Sequence, residues 1–388
     1  ERTIPFRGGA AALTVAGTIS GWGAAHRLAS RSFGGKMPLK RLLADAIHYA
    51  KHGIPVTRSQ WLNTKNKAPE LAAQPGFAET FLVDGASPET GSVFMQRRLA
   101  RTLEHIARRG TDDFYRGELA RSIAKDLQAI GSPITLADLQ AHQAILRDPL
   151  ALDHSAGDLH NMTPPTQGVV SLMILGILDE IGIANLDPSS PDYVHLCVEA
   201  TKQAFRVRDR YVTDPAHMKV DPRTLLARER IREMARAIDP RRAAPWGAKT
   251  KPGGDTIWMG VIDASGRAVS FIQSIYHEFG AGIVLPGSGI NWQNRGASFS
   301  LDPNHVNALA PGKKPFHTLN PALARLKDGR VMVYGTMGGD GQPQTQAAIF
   351  SRYALFGQTP QMAVTAPRWL LGRTWGPAVT KLRLEARI

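Results

Sequence analysis

Two different spacings of apolar residues divide this chain near residue 255. Before that point, apolar positions recur every three to four residues, which is typical of amphipathic helices. These helical segments cover 38–53, 94–110, 114–131, 135–143, 190–213 and 222–238. After it, apolar and polar residues alternate over 256–272 and 322–335, which predicts two hairpins, and a helical pattern returns over 341–357. The order predicts an α+β fold with helices layered on a central β-sandwich.

Local signals support these elements. Gly53, Gly110 and Gly131 are each the last residue of a helical segment, where glycine commonly ends a helix. Thr135 followed by Asp138 is close to a capping box, which predicts a helix start. The longest apolar run, 169–183, is interrupted by glycine and two acidic residues, so we interpret it as a core helix and not a membrane span.

Composition excludes several classes of function. The chain has 388 residues, 43% hydrophobic residues and a net charge of +14, which suits a globular protein. The basic residues are mostly arginines spread along helix faces, so we predict solvated surfaces and no nucleic-acid partner. A single cysteine, Cys197, excludes an intramolecular disulfide. The chain begins at Glu1, and its sequence leaves the compartment open between a bacterial periplasm and cytoplasm.

The candidate chemistry lies where the spacing changes. A Pro/Gly-rich stretch, 239–254, leads into GGDTIWMG at 253–260, which places Thr256 at the head of the first hairpin. If the Asp255–Thr256 bond is broken, the new α-amine of Thr256 can act as the base for its own hydroxyl. The alternative is that Gly-Gly-Asp-Thr is ordinary loop sequence, so the motif needs support from the rest of the chain.

That support comes from a series of motifs in a fixed order. In the helical part they are TVAGTISGW (14–22) and MTPPTQGVVSLMILGILD (162–179). In the strand-rich part they are DTIWMGVIDASGRAVS (255–270), FGAGIVLPGSG (279–289), NWQNRGASFS (291–300), APGKKPFHTLNPAL (310–323) and YGTMGGDG (334–341). With these motifs, the chain resembles the γ-glutamyltranspeptidase family from about residue 10 to about residue 370.

The resemblance implies a fold, a processing step and catalytic roles. The fold is the four-layer αββα sandwich of the N-terminal-nucleophile (Ntn) hydrolases, without a metal or organic cofactor. Self-cleavage divides this one domain into a helix-rich portion, 1–255, and a strand-rich portion, 256–388. By resemblance, Thr256 is the nucleophile, Ser274 is a second hydroxyl that hydrogen-bonds it, and Gly338 and Gly339 form the oxyanion hole. The alternatives are an ordinary strand residue at Ser274 and a simple tight turn at the two glycines.

The substrate-binding positions depart from the family pattern. Ser298 replaces the Asp that binds the substrate α-amine, and Arg295 stands where a polar amide or acid is usual. His317 and Thr318 replace the paired serines that bind the α-carboxylate, and Tyr276 replaces an Asn. An Arg in place of acidic groups disfavours a cationic amine and favours a carboxylate. The pattern therefore points to the acylase branch of the family, although Arg295 as an exposed loop residue is an open alternative.

Further expectations follow from the resemblance. The family has a segment before residue 1 that carries its carboxylate-binding Arg, and neither Arg2 nor Arg7 stands at that place. We expect a self-processing hydrolase of an amide or γ-glutamyl bond. The alternatives are a true γ-glutamyltransferase or glutathione hydrolase, and a catalytically dead binding homologue. The expected partners are a small-molecule substrate and the protein's own two subunits, with a possible homo-oligomer and no membrane.

Overall fold

The computed structural model describes residues 3–247, 255–372 and 381–386, without the side chain of Asp255. The contacts of the chain divide it into two units, the first containing Glu1–Leu146 and Ile275–Ala297, and the second containing Arg147–Ser274 and Ser298–Ile388. The second unit takes residues from both sides of the predicted cleavage point. The division into 1–255 and 256–388 is a statement about a chemical bond, and it stays a prediction.

The first unit is built mainly of helices. They are α1 (Thr18–Ser32), α2 (Leu39–Leu42), α3 (Ala44–His52), α4 (Arg58–Leu71), α5 (Phe77–Phe81), α6 (Arg97–Arg109), α7 (Asp113–Arg116), α8 (Glu118–Ala129) and α9 (Leu136–Ala141). Two short strands, β1 (Ile54–Pro55) and β2 (Val93–Phe94), pair antiparallel. Ile106, Ile123, Leu127 and Trp292 lie fully buried in the core of this unit, where the amphipathic faces meet.

The second unit is centred on an antiparallel sheet. Its elements are β3 (Leu150–His154), β4 (Gly157–Asn161), α10 (Gly168–Ile181), α11 (Pro191–Tyr211), α12 (Arg228–Arg236), β5 (Asp255–Ile262), β6 (Ala268–Tyr276, whose last two residues belong to the first unit), β7 (Ala322–Leu326), β8 (Val331–Tyr334), α13 (Gln342–Phe350), α14 (Pro360–Thr365), β9 (Trp369–Leu371) and β10 (Leu382–Leu384). The order β3-β4-β7-β8 forms the sheet, while β5 pairs with β6 and β9 with β10.

The core of the second unit forms around α10. Every residue from Gly168 to Leu178 is buried, as expected for a helix that is apolar on all sides. The predicted core helix is therefore confirmed. Among the described residues, no helix is long and apolar enough to cross a membrane.

The α+β class is confirmed, and several predicted elements need correction. The helix predicted over 38–53 is interrupted at Leu43, and the one over 114–131 is interrupted at Gly117. The segment 222–238 consists of a 3-10 turn, Pro222–Leu226, followed by α12. The hairpin β3–β4 was not predicted, because it lies inside an otherwise helical part of the sequence. By contrast, α9 has the predicted capping box at Thr135.

Candidate active site

A pair of hydroxyl groups lies between the two strands of the β5–β6 hairpin. Thr256 Oγ1 donates a hydrogen bond to Ser274 Oγ at 3.1 Å, and both side chains are half-buried. The turn sets this register, because the Asp263 amide donates to the Arg267 carbonyl at 3.0 Å and the Asp263 carboxylate accepts from the Arg267 amide at 3.0 Å. The hairpin thus brings together two residues that are 18 positions apart.

The inner face of β5 packs closely on the main sheet. Trp258 Nε1 donates to Ser270 Oγ at 2.9 Å, which fixes the ring between the two strands. The ring lies against Gly335, where a Cβ would come within 2.2 Å of Trp258 Cδ1. Only glycine therefore fits at 335 without a shift of the indole, and this contact supports the strand that carries the candidate nucleophile.

The predicted oxyanion turn stands at the start of a helical segment. Gly338 has φ 111° and Gly339 has φ 53°, both in the left-handed region that favours glycine. They lead into the 3-10 turn Gly339–Gly341 and then into α13. The first N–H groups of such a segment have no partner within it, so they can donate to an anion. The geometry is suited to an oxyanion hole, and the role of these glycines stays a prediction.

The segment containing His317 and Thr318 pairs with the residues that precede α10. The His317 amide donates to the Pro165 carbonyl at 3.1 Å, and the Gln167 amide donates to the His317 carbonyl at 3.2 Å. Within the segment, the Leu319 amide donates to His317 Nδ1 at 3.3 Å, and Thr318 is buried. The motifs at 162–179 and 310–323, distant in sequence, are therefore neighbours in the second unit.

Tyr276 and Arg295 meet in the first unit. The Arg295 guanidinium lies 3.6 Å from the centre of the Tyr276 ring, which is a close cation–π contact. Tyr276 is buried and has φ 80°, a backbone conformation that is strained for a bulky residue and is often associated with function. Ser298, also buried, belongs to the second unit. The roles predicted for these residues toward a substrate stay predictions.

His277, next to Tyr276, holds a neutral imidazole. Burial, and then the positive charges of Arg7, Arg295 and Lys67, lower the pKa of His277 to about 3. Its ring lies 4.8 Å from that of Phe6, and its amide donates to Asn294 Oδ1 at 3.2 Å. These contacts fix the backbone that follows β6.

Residues that the sequence analysis missed surround the Gly338–Gly339 turn. Gln167 Nε2 donates to the Gly339 carbonyl at 2.7 Å, and Arg208 Nη1 donates to Asp340 Oδ1 at 3.0 Å. The available signals were the position of Gln167 at the end of the Met-Thr-Pro-Pro segment and the charge of Asp340 after the glycine pair. Neither signal shows that the residues meet.

Two further predictions concern cleavage and metal binding. The structure does not describe residues 248–254 or the side chain of Asp255. Of the predicted cleavage site it describes Thr256 and the backbone of Asp255, with which β5 begins. Within the described part of the chain, no group of three or more His, Cys, Asp or Glu side chains is arranged to hold a metal ion.

Comparison with known proteins identifies relatives across the whole chain. The sequence model of the family described as gamma-glutamyltranspeptidase matches residues 2–388. The oxamate amidohydrolase proenzyme of Klebsiella pneumoniae is 59% identical over 387 residues, a match that covers 100% of this chain and 73% of that protein. The glutathione hydrolase-like YwrD proenzyme of Bacillus subtilis is 40% identical, with 100% and 72% covered.

A solved structure supports the same relationship. The crystal structure of cephalosporin acylase from Bacillus halodurans matches with a TM-score of 0.87 and 33% identity, covering 100% of this chain and 70% of that one. The resemblance inferred from the motifs is thereby confirmed. The chain belongs to the gamma-glutamyltranspeptidase family.

Proposed function

We propose that this protein is a self-processing amidohydrolase with an N-terminal threonine nucleophile, and that its substrate is a small amide carrying a carboxylate. The hydrogen bond between Thr256 and Ser274 is the observation that carries the proposal, because an activated hydroxyl requires a partner at this distance. The 59% identical relative acts, by its name, on oxamate, in which a carboxylate adjoins the amide carbon. Oxamate is therefore the first substrate to test.

Self-cleavage would create the nucleophile. The Thr256 hydroxyl attacks the Asp255 carbonyl carbon, and the peptide C–N bond breaks to leave an ester and a free Thr256 amine. Water then hydrolyses the ester, which leaves a carboxylate on Asp255 and restores the hydroxyl. Ser274 would orient the attacking hydroxyl in this step, and the new α-amine then lies on the same residue as the nucleophile.

Hydrolysis of the amide would use the same hydroxyl. Thr256 Oγ1 attacks the amide carbonyl carbon, and the proton of the hydroxyl passes to the α-amine. The amides of Gly338 and Gly339 stabilise the negative oxygen, and the proton then goes to the departing nitrogen as the C–N bond breaks. Water hydrolyses the acyl–Thr256 ester. With oxamate the products would be ammonia and oxalate.

Recognition of the carboxylate is assigned to Arg295. Its charge and its contact with the Tyr276 ring support this assignment, because stacking holds the guanidinium in place and its planar shape matches that of a carboxylate. We assign Ser298, His317, Thr318 and Tyr276 to the lining of the substrate site on the family resemblance. No metal or organic cofactor is needed in this scheme.

Ammonia release from oxamate by the purified protein tests the proposal. The wild type should release ammonia, while Thr256→Ala should show no activity and no cleavage. Oxamide, in which a second neutral amide replaces the carboxylate of oxamate, should be a poor substrate. Glutaryl amides, which also carry a carboxylate, are the second substrates to test. Failure of the wild type on both oxamate and glutaryl amides, or activity in Thr256→Ala, would contradict the proposal.

Glutathione hydrolysis is a second candidate, favoured by the name of the 40% identical relative from Bacillus subtilis. It requires binding of a cationic α-amine, and Ser298 and Arg295 offer no negative charge for that purpose. Activity on γ-glutamyl-p-nitroanilide, stimulated by a Gly-Gly acceptor and exceeding that on oxamate, would favour this second candidate over the first.

A further inference from the structure

The Gly338–Gly339 turn is held from outside by a buried polar network. Gln167, immediately before α10, is fully buried, and its Nε2 donates to the Gly339 carbonyl at 2.7 Å. Its Oε1 accepts from Arg208 Nη1 at 3.4 Å, a long hydrogen bond. The same Arg208 nitrogen donates to Asp340 Oδ1 at 3.0 Å. One side chain therefore holds the carbonyl of Gly339, and another holds the residue that follows it.

Several contacts fix the guanidinium of Arg208 in place. It lies buried on α11, with its guanidinium 3.9 Å from the centre of the Phe205 ring and its Nε donating to Asp209 at 2.7 Å. Although burial alone would lower it, the carboxylates of Asp340 and Asp209 raise the pKa of Arg208. A buried guanidinium with this many partners has one orientation, which makes it a rigid support for the turn.

Gln167 also connects the turn to the segment of His317. Its backbone amide donates to the His317 carbonyl at 3.2 Å, while its side chain reaches Gly339. One residue thus joins two segments to which catalytic or binding roles are assigned. This arrangement indicates a role for the sequence MTPPTQG (162–168), which the proposed reaction does not otherwise use.

Two consecutive glycines need such support. A Gly-Gly pair has more conformational freedom than any other dipeptide, so its amides do not keep their direction by themselves. An oxyanion hole works only if its donors are already aimed at the developing charge, within about 0.5 Å of the productive position. Hydrogen bonds from Arg208 on α11 and from Gln167, the residue before α10, supply the missing rigidity.

We propose that Gln167 and Arg208 are positioning residues, which hold the Gly338–Gly339 turn in the orientation that stabilises the oxyanion. The inference rests on the proposed function. It adds two residues, one on α11 and one immediately before α10, to a site that resemblance assigns to Thr256, Ser274 and the two glycines. Neither residue needs to touch the substrate.

A matched pair of substitutions tests the inference. Gln167→Glu keeps the size of the side chain but places an oxygen where the amide donates to Gly339. Gln346→Glu makes the same change at another fully buried glutamine, which forms hydrogen bonds with Ser171 and Asn320 and not with the turn. We expect Gln167→Glu to lower kcat at least 10-fold with KM within about 3-fold, since loss of one oxyanion donor costs about 10² to 10³ in kcat. Gln346→Glu should keep kcat within about 3-fold.

Substitution of Arg208 provides a graded series. Arg208→Lys keeps a charge that can pair with Asp340 but cannot also reach Gln167, so kcat should fall less than in Arg208→Met. Equal kcat in both variants and in the wild type would overturn the assignment of Arg208. Equal losses of kcat in Gln167→Glu and Gln346→Glu would overturn that of Gln167, because they would reflect general damage to the core.

Hydrogen exchange separates this inference from the proposed function. Amides in the peptide spanning 338–342 should exchange faster in Gln167→Glu than in the wild type and in Gln346→Glu, measured by mass spectrometry on the full chain. Should the wild type hydrolyse none of the amides, the proposed function fails, and the exchange rates alone decide whether the network holds the turn. Unchanged exchange in Gln167→Glu would overturn the inference.

Discussion

At the scale of single residues, the reactivity of a hydroxyl group depends on where the backbone places its hydrogen-bond partners. The Thr256 hydroxyl lies 3.1 Å from that of Ser274 because a tight turn at Asp263 sets the register of two strands. The Arg295 guanidinium is similarly held by the ring of Tyr276, whose backbone is strained. Strain of this kind persists only where surrounding contacts enforce it. The chemistry assigned to each residue can be tested by changing one contact at a time.

Arg295→Met tests the recognition of the substrate carboxylate. KM for oxamate should rise at least 10-fold, because a charge-assisted bond to the guanidinium is lost, while the rate with a neutral amide should change little. Arg330→Met is the matched control, since Arg330 also lies over a tyrosine ring, that of Tyr353, and it belongs to an exposed hairpin turn. An equal rise of KM with both amides would contradict the assigned role.

The buried imidazole of His277 gives a prediction for pH. The pKa is lowered to about 3 in the folded chain and is about 6.5 when unfolded, so the unfolded chain binds more protons between these values. Stability from the neutral imidazole is therefore complete above about pH 6.5 and is lost as pH falls toward 3. The slope contributed by one group is at most about 1.4 kcal/mol per pH unit.

His277→Phe should flatten this dependence. The substitution removes the titrating group and keeps an aromatic ring beside Phe6 and Tyr276. Urea midpoints measured between pH 7 and 4.5 should fall more steeply for the wild type than for the variant. Parallel curves would show that His277 titrates normally in the folded chain.

At the scale of elements, α11 fixes the segment that leads toward the predicted cleavage point. Lys202 Nζ donates to Glu199 Oε1 at 2.5 Å and to the Ala244 carbonyl at 2.7 Å, and Glu199 Oε2 accepts from the Ala244 amide at 3.2 Å. Both charged side chains are buried. The pair thus satisfies both backbone groups of Ala244 and holds the chain along the helix.

Removing one partner of this pair should be costly. Lys202→Met leaves a buried carboxylate without its cation, so the free energy of unfolding should fall by about 3–5 kcal/mol. The double variant Glu199→Met with Lys202→Met should lose less, since no unpaired charge remains. Arg41→Met, which breaks the exposed Arg41–Asp45 pair, should cost at most about 1 kcal/mol. Urea unfolding measures all three, and equal losses in the single and double variants would contradict the account.

The helices and strands also show how far the sequence could predict the fold. The hairpins β5–β6 and β7–β8 have alternating residues around turns that contain one Asp and one Gly each, which are local signals, and both were predicted. In the hairpin β3–β4 buried residues alternate with exposed or half-buried ones, but its strands are only five residues long and stand among helices. Helix ends were also less predictable, as at Gly117, where the non-helical backbone of one residue separates α7 from α8.

The candidate site likewise has parts that the sequence predicted and parts that it did not. The family resemblance implied the pairing of Thr256 with Ser274, and the turn that sets the register of their hairpin is visible in the sequence. The contact between Gln167 and Gly339 joins residues 172 positions apart, and that between Arg208 and Asp340 joins residues 132 apart. No local pattern encodes such contacts, because they arise only when α10, α11 and the turn before α13 pack together. Sequence motifs therefore indicated the reactive groups but not the groups that hold them.

At the scale of the whole molecule, both predicted cleavage products contribute to one sheet. Strand β4 precedes Thr256 and pairs with β7, which follows it, through partners that include Leu159 and Ala324. Helix α10, buried along most of its length, also precedes Thr256 and packs against α13. Cleavage of one peptide bond leaves these hydrogen bonds and this apolar core in place.

The two products should therefore stay together after cleavage. Size-exclusion chromatography of the processed protein should give one peak containing both chains, which separate only in denaturant. Thr256→Ala, as an uncleaved control, should elute at the same volume. Separate elution of the two chains under native conditions would contradict the shared sheet.

The central claim is that Thr256 becomes an N-terminal nucleophile, and the intact mass of the purified protein tests it most directly. The account predicts two masses, one of a fragment that begins at Thr256, which together equal the precursor plus one water. Thr256→Ala should give the precursor mass alone. A wild type that keeps a single uncut mass on prolonged incubation, like Thr256→Ala, would contradict the claim.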